Sequence, residues 1–73
     1  MFTIQNRRTG KFVYGTDFNY NPPRQRTDFN RMLTYDDYTS AEVDFWHRGC
    51  GKVYRIVELE PVKIKRVLPP ISR

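Results

Sequence analysis

Apolar and polar residues alternate at the start of the chain, in Phe2-Thr3-Ile4-Gln5, and β-forming residues resume at Lys11-Phe12-Val13-Tyr14. The stretch between them, Asn6 to Gly10, is rich in turn formers and ends on glycine, so the pattern predicts a β-hairpin. Gly15 breaks its second strand. TDFNYNPPRQRTDFN, residues 16–30, then shows neither helical nor strand period and predicts a long, partly ordered loop. Phe18, Tyr20 and Phe29 are expected to pin that loop to the core, while Pro22, Pro23, Arg24, Gln25 and Arg26 project as an extended basic segment. The short apolar centre of Arg31 to Tyr35, RMLTY, predicts a third strand leading into a helix.

The most explicit stretch is Tyr38 to Glu60, which reads as helix, stop, strand. Thr39 stands three residues before Glu42, the spacing of a capping box, and Tyr38 and Val43 are placed to close over it as a hydrophobic staple. Gly49, Cys50 and Gly51 offer a left-handed exit, so the helix should end near Arg48. Within it Ala41 and Phe45 share one face and Glu42 and Trp46 the next, which sets Phe45 and Trp46 astride the core boundary. Val53 to Leu59 holds Val, Tyr, Ile, Val and Leu in seven residues, a buried strand by composition. After Pro61, the alternation Val62-Lys63-Ile64-Lys65 suits an edge strand with lysines toward water. The expected fold is α+β: a small, mostly antiparallel sheet in chain order β-β-β-α-β with one helix on one face. Residues 1–64 form a single domain and residues 65–73 a flexible basic tail.

Length and composition narrow the function. A chain of 73 residues supports one small core and no deep catalytic cleft. Eleven aromatic residues must supply much of that core. Cys50 is the single cysteine, which excludes an internal disulfide framework or a cysteine-based zinc cluster and suits a reducing compartment. MFTIQNRRTG lacks the apolar centre of a signal peptide, and no run approaches the ~18 apolar residues of a membrane helix, so a cytoplasmic monomer with no membrane contact is expected.

The formal charge is +5, and it is segregated: residues 1–31 carry six basic and two acidic side chains, residues 32–47 carry four acidic and no Lys or Arg, and residues 48–73 carry seven basic and two acidic. Asp36, Asp37, Glu42 and Asp44 surround the start of the helix, where the dipole favours each by about 0.3–1 kcal/mol, and that accounts for them without a metal. The adjacent pair Asp36 and Asp37 would face opposite ways on a strand and has no third ligand in view. The basic residues have no such local reason and point to a negatively charged partner, nucleic acid or an acidic protein.

Candidate contacts follow from charge and expected exposure: Arg7 and Arg8 at the hairpin tip, Arg24 and Arg26 in the loop, and Lys63, Lys65 and Arg66 near the carboxyl end. A solvated turn explains Arg7 and Arg8 equally well. Aromatics interleaved with arginine, as in residues 16–30, are what single-stranded nucleic acid uses, because bases stack on rings while phosphates pair with guanidinium groups. Trp46 serves either as core or as a contact hot spot. His47 and Cys50 lie three apart, but neither a group to orient the histidine nor an oxyanion pocket is in view, so no catalytic residue is assigned. No glycine-rich phosphate loop or metal-ligand cluster is present, and no cofactor is expected.

The whole-chain profile, with its small size, basic charge, hairpin, Pro-Pro-Arg loop, capped helix and basic Pro-Pro tail, resembles a small lytic-phage protein. In length, charge and strand-rich layout it is similar to the phage proteins that bind host bacterial RNA polymerase as inhibitors of initiation and as antiterminators. That resemblance covers the chain as a profile and rests on no signature motif. It implies a non-enzymatic protein bound to the amino-terminal segment of the largest polymerase subunit and to the nearby flap, beside the RNA exit channel. Sigma-dependent initiation would be impaired, and elongation complexes would read through terminators, with nascent RNA within reach. The alternative is a basic module that contacts single-stranded RNA or DNA directly.

Overall fold

The computed structural model describes residues 1–60 and 63–69, with Lys63 described for its backbone only. Strands β1 (Phe2–Asn6), β2 (Phe12–Asp17) and β3 (Arg24–Asp28) precede helix α1 (Tyr38–His47), and β4 (Tyr54–Glu60) and β5 (Lys63–Val67) follow it. All five strands join one antiparallel sheet in the order β3-β2-β1-β4-β5. The α+β class and the single helix packed on the sheet agree with the sequence pattern.

The central pair is β1 with β4, matched from Phe2 opposite Glu58 to Asn6 opposite Tyr54. Paired residues share a face, so Ile4 and Ile56 point together toward the helix. There they meet Ala41 and Phe45, one helical turn apart, with Val13 and Cys50 completing the buried cluster. Each fully buried aliphatic or aromatic side chain of this kind contributes about 1.5–3 kcal/mol relative to exposure. Phe45 is buried and Trp46 half-buried, its ring edge-on to Phe45 at 5.3 Å, as the helical spacing anticipates.

Strand β1 pairs with β2 only at Gln5 opposite Phe12, after which the two strands separate. Leu33 to Tyr35 fills the gap. Leu33 donates its N–H to the Val13 carbonyl at 2.9 Å, and Tyr35 and Phe2 exchange both backbone hydrogen bonds at 2.8 Å. The expected strand at Arg31 to Tyr35 is therefore a wedge with a single bridge rather than a ladder member.

The third strand lies instead at Arg24–Asp28, within the segment expected to be a loop. Its sequence RQRTD gives no apolar alternation because the two side chains on the helix side of this edge strand are polar. Gln25 and Thr27 pair with Thr16 and Val13 there. Gln25 satisfies its amide at both ends: its Oε1 accepts from the Thr16 hydroxyl at 2.6 Å, and its Nε2 donates to the Arg48 carbonyl at 2.7 Å. Hydrogen bonding replaces apolar burial as the reason the strand docks.

The helix begins two residues before the capping-box reading. Asp37, in extended conformation, is the N-cap, and its Oδ1 accepts from the Ser40 N–H at 2.7 Å. Aspartate caps at least as well as threonine and adds a favourable charge at the dipole's positive end. The staple does not form either: Val43 is 64% exposed, and Tyr38 packs edge-on against Phe2 at 6.2 Å. The exit is as expected. Gly49 has φ +69°, its N–H reaches the Trp46 carbonyl, and the Cys50 N–H reaches the Phe45 carbonyl, both at 3.0 Å, which is a Schellman ending.

Strand β5 is an edge strand, and it runs through Val67, past the boundary placed at residue 64. Residues 70–73 of the expected tail, with Pro61 and Val62, lie outside the described residues.

Candidate functional site: the basic and aromatic surface

The hairpin tip is a built turn. Asn6 Oδ1 accepts the backbone N–H groups of Arg8 and Thr9 at 2.8 and 3.1 Å, and Gly10 supplies the left-handed residue at φ +79°. This leaves Arg7 and Arg8 exposed. Arg7 leans on the turn after the helix: its N–H donates to the Val53 carbonyl at 2.7 Å and its Nη1 to the Lys52 carbonyl at 3.3 Å. Arg7, Arg8, Lys52 and Val53 line a shallow depression of about 370 Å³. Val53 also borders a second groove of about 470 Å³, whose other side is Pro22, Pro23 and Arg24. The Asn21–Pro22 peptide bond there is cis. Pro23 packs so closely on Gly49 that a Cβ at that position would lie 3.1 Å from its Cδ.

The candidate cations thus divide. Arg7, Arg8 and Arg24 border two adjoining depressions, whereas Lys65 and Arg66 lie on β5, at the opposite sheet edge from β3. Arg66 is paired with Glu58 at 2.9 Å and Lys65 reaches Glu60 at 4.0 Å. Lys63 has its backbone opposite Glu60 in the same edge strand. Arg26 is 3.8 Å from Asp17 with its side chain 60% exposed, a contact worth little in water. Trp46 rests half-buried against Phe45.

The aromatics depart most from expectation. Phe18, Tyr20 and Phe29 are 54%, 46% and 56% exposed, so they do not pin residues 16–30 to the core. Two carry a cation instead: the Arg24 guanidinium lies 4.1 Å from the Tyr20 ring centre and the Lys11 ammonium 5.6 Å from that of Phe29. A third pair sets Arg31 at 4.1 Å over Tyr14. Phe18 tilts against His47 at 5.8 Å. Sequence reading missed Lys11, Tyr14 and Arg31. The one available signal was that aromatic and basic residues lie close together at Lys11-Phe12-Val13-Tyr14 and at Phe29-Asn30-Arg31.

Phe29 sits over a fixed floor. A Cβ on Gly10 would lie 3.8 Å from its ring and 3.9 Å from Gln5 Nε2. Gln5 is held at both ends: Nε2 donates to the Gly10 carbonyl at 2.9 Å, and Oε1 accepts from Arg55 Nε and Nη2 at 3.1 and 3.0 Å.

A separate polar cluster joins the helix to the hairpin. Arg48 Nε donates to Asp44 Oδ2 at 2.6 Å, the Tyr35 hydroxyl donates to the same oxygen, and Arg48 Nη1 donates to the Thr16 hydroxyl at 3.0 Å. Burial pushes the Asp44 carboxyl up, but the hydrogen bonds from Tyr35 and Arg48 prevail and hold it below its ordinary value. Burial and the Asp44 hydrogen bond raise the Tyr35 phenol well above its ordinary range. These groups have one another as partners and serve to fasten the fold.

Cys50 is buried, and that burial pushes its thiol up to about 12, so it is protonated at neutral pH and no nucleophile. His47 is exposed on the helix. Asp37 is spent as the helix cap, and no group of three or more potential metal-ligating side chains gathers among the described residues. Among those residues no helix is long and apolar enough to cross a membrane.

Fold and surface together define a small α+β protein with a basic, aromatic-bearing face. Compared with known proteins, the chain matches no protein-family model, no curated protein and no solved structure.

Proposed function

We propose that this chain is a non-enzymatic binding protein whose partner is single-stranded nucleic acid. The observation that carries the reading is the set of three ring–cation pairs, Tyr20 with Arg24, Phe29 with Lys11 and Tyr14 with Arg31. A base stacks on a ring or on a guanidinium plane, and the neighbouring cation meets the adjacent phosphate, so each pair is a unit that accepts any base. The host cytoplasm, where such strands occur and a lone buried thiol stays reduced, is the setting this reading assigns.

Fluorescence anisotropy with a labelled oligo-dT or oligo-U tests it. The logarithm of the binding constant should fall linearly with the logarithm of salt concentration, and Phe29→Ala with Tyr20→Ala should weaken binding by about 5- to 100-fold per stacked base lost. No binding at low salt would remove the reading. Host RNA polymerase, the partner implied by the resemblance, is the competing outcome. A pull-down from bacterial lysate that recovers polymerase subunits, with altered sigma-dependent initiation or terminator read-through in vitro, would favour it instead.

A further inference from the structure

We infer that the depression between the hairpin tip and the turn after the helix is a phosphate-binding site formed by Arg7, Arg8 and Lys52. Arg7 and Lys52 are 45 residues apart in sequence, so the fold and not local composition brings them together. Three like charges at one small site repel, and the two turns would separate if nothing held them. Two hydrogen bonds do hold them: the Arg7 N–H to the Val53 carbonyl and Arg7 Nη1 to the Lys52 carbonyl. Among the described residues none of the three cations forms an ion pair with a carboxylate, in contrast to Lys65 and Arg66 on β5.

The site is therefore a cationic depression held in shape and lacking its counter-charge. Val53 gives it an apolar wall that strengthens charge interactions beside it. The backbone N–H groups of Arg8 and Thr9 are already taken by Asn6, so recognition falls to the side chains. Guanidinium forks match the oxygen geometry of a phosphoryl group, and a lysine adds a point charge. The depression is open, which leaves a phosphate's ester substituents in solvent and admits a phosphodiester as readily as free phosphate. None of the ring–cation pairs lies in it, so the site stands independently of the stacking surface.

The test is NMR titration of the labelled full chain with sodium pyrophosphate, with sodium chloride at matched ionic strength, and with oligo-dT. Pyrophosphate should move the amide signals of Arg7, Arg8, Lys52 and Val53 along a saturating curve that chloride does not reproduce. Arg8→Gln and Lys52→Gln, both at exposed positions, should each weaken that binding by about two- to five-fold with the rest of the spectrum unchanged. Equal shifts with chloride, or unaltered pyrophosphate binding in both variants, would overturn the site. Oligo-dT that binds without moving these four signals would overturn the phosphodiester as an occupant of the site, while leaving the nucleic-acid reading intact. Pyrophosphate binding with no response to oligo-dT would instead support the site as one for free phosphate and sink the nucleic-acid reading.

Discussion

The two halves of the sheet are fastened to the helix by different physics. On the β1–β4 side the contact is apolar: Ile4, Ile56, Ala41 and Phe45 close against one another with almost no exposed surface. On the β2–β3 side Val13 joins that core, and the rest of the contact is polar: Arg48 grips Asp44 and Thr16 with its side chain and Gln25 with its carbonyl, and Tyr35 completes the cluster. Apolar burial is non-directional and stabilises strongly, whereas a polar clamp contributes less but fixes register and angle. The half held by the clamp also carries the ring–cation pairs.

Phe45→Ala should break the comparison most severely. Removing a buried phenyl costs about 3–5 kcal/mol, which is most of what a domain of this size possesses. Circular dichroism should show the variant largely unfolded at 25 °C. A cooperative transition near that of the parent would mean that the apolar half is not the main source of stability.

Arg48→Ala should act on the other half alone. It removes charge-assisted hydrogen bonds in a partly exposed setting, a loss of about 1–2 kcal/mol. Hydrogen exchange should accelerate in the amides of β2 and β3 while β1 and β4 keep their protection. Uniform acceleration across the sheet would show that the two halves open as one unit.

Gly49→Ala probes where the halves touch. The residue has φ +69°, and a Cβ there would meet Pro23 of the β2–β3 connection at 3.1 Å, so a loss of about 1 kcal/mol is expected. Gly51→Ala is the unstrained control, with no positive φ and nothing within 4 Å of its Cβ position. Its effect on the unfolding midpoint should be small. Equal losses at both positions would show that neither the left-handed φ of Gly49 nor its contact with Pro23 sets the cost.

The apolar half and strand β2 were legible in the sequence, and strand β3 with the polar clamp was not, for one reason. Periodicity reports burial of apolar side chains, and β1, β4 and the Ala41–Phe45 face follow it closely. Strand β3 is built from RQRTD and docks through Gln25, which resembles loop composition until its two partners, 9 and 23 residues away, are known. Arg31 to Tyr35 failed in the opposite sense: its apolar centre is real, but it wedges between two diverging strands instead of pairing along either. At the helix start two good caps stood two residues apart, and Asp37 prevailed over Thr39. Of the candidate site, the charges of Arg7, Arg8 and Arg24 could be read directly. Their grouping with Lys52, and the rings that Lys11, Arg24 and Arg31 cover, depend on tertiary approach.

Acid and alkali should act on the two halves through different groups. Asp44 belongs to the clamp, and its carboxyl is held below the ordinary value of about 3.9. The unfolded chain therefore takes up that proton first, so the clamp's contribution is complete above about pH 4 and is lost as pH falls through the depressed native value. Cys50 belongs to the apolar half, and burial pushes its thiol up to about 12. Here the unfolded thiol ionises first, near pH 8.5, so the core's contribution is complete below that value and declines as pH rises toward 12. Unfolding midpoints measured from pH 2.5 to pH 10.5 should show both arms. Asp44→Asn should flatten part of the acid arm, and Cys50→Ala should flatten part of the alkaline arm, to which the raised Tyr35 phenol of the clamp also contributes. An acid arm unchanged in Asp44→Asn would mean that the clamp carries no pH-dependent stability, and the contrast between the halves would then rest on packing alone.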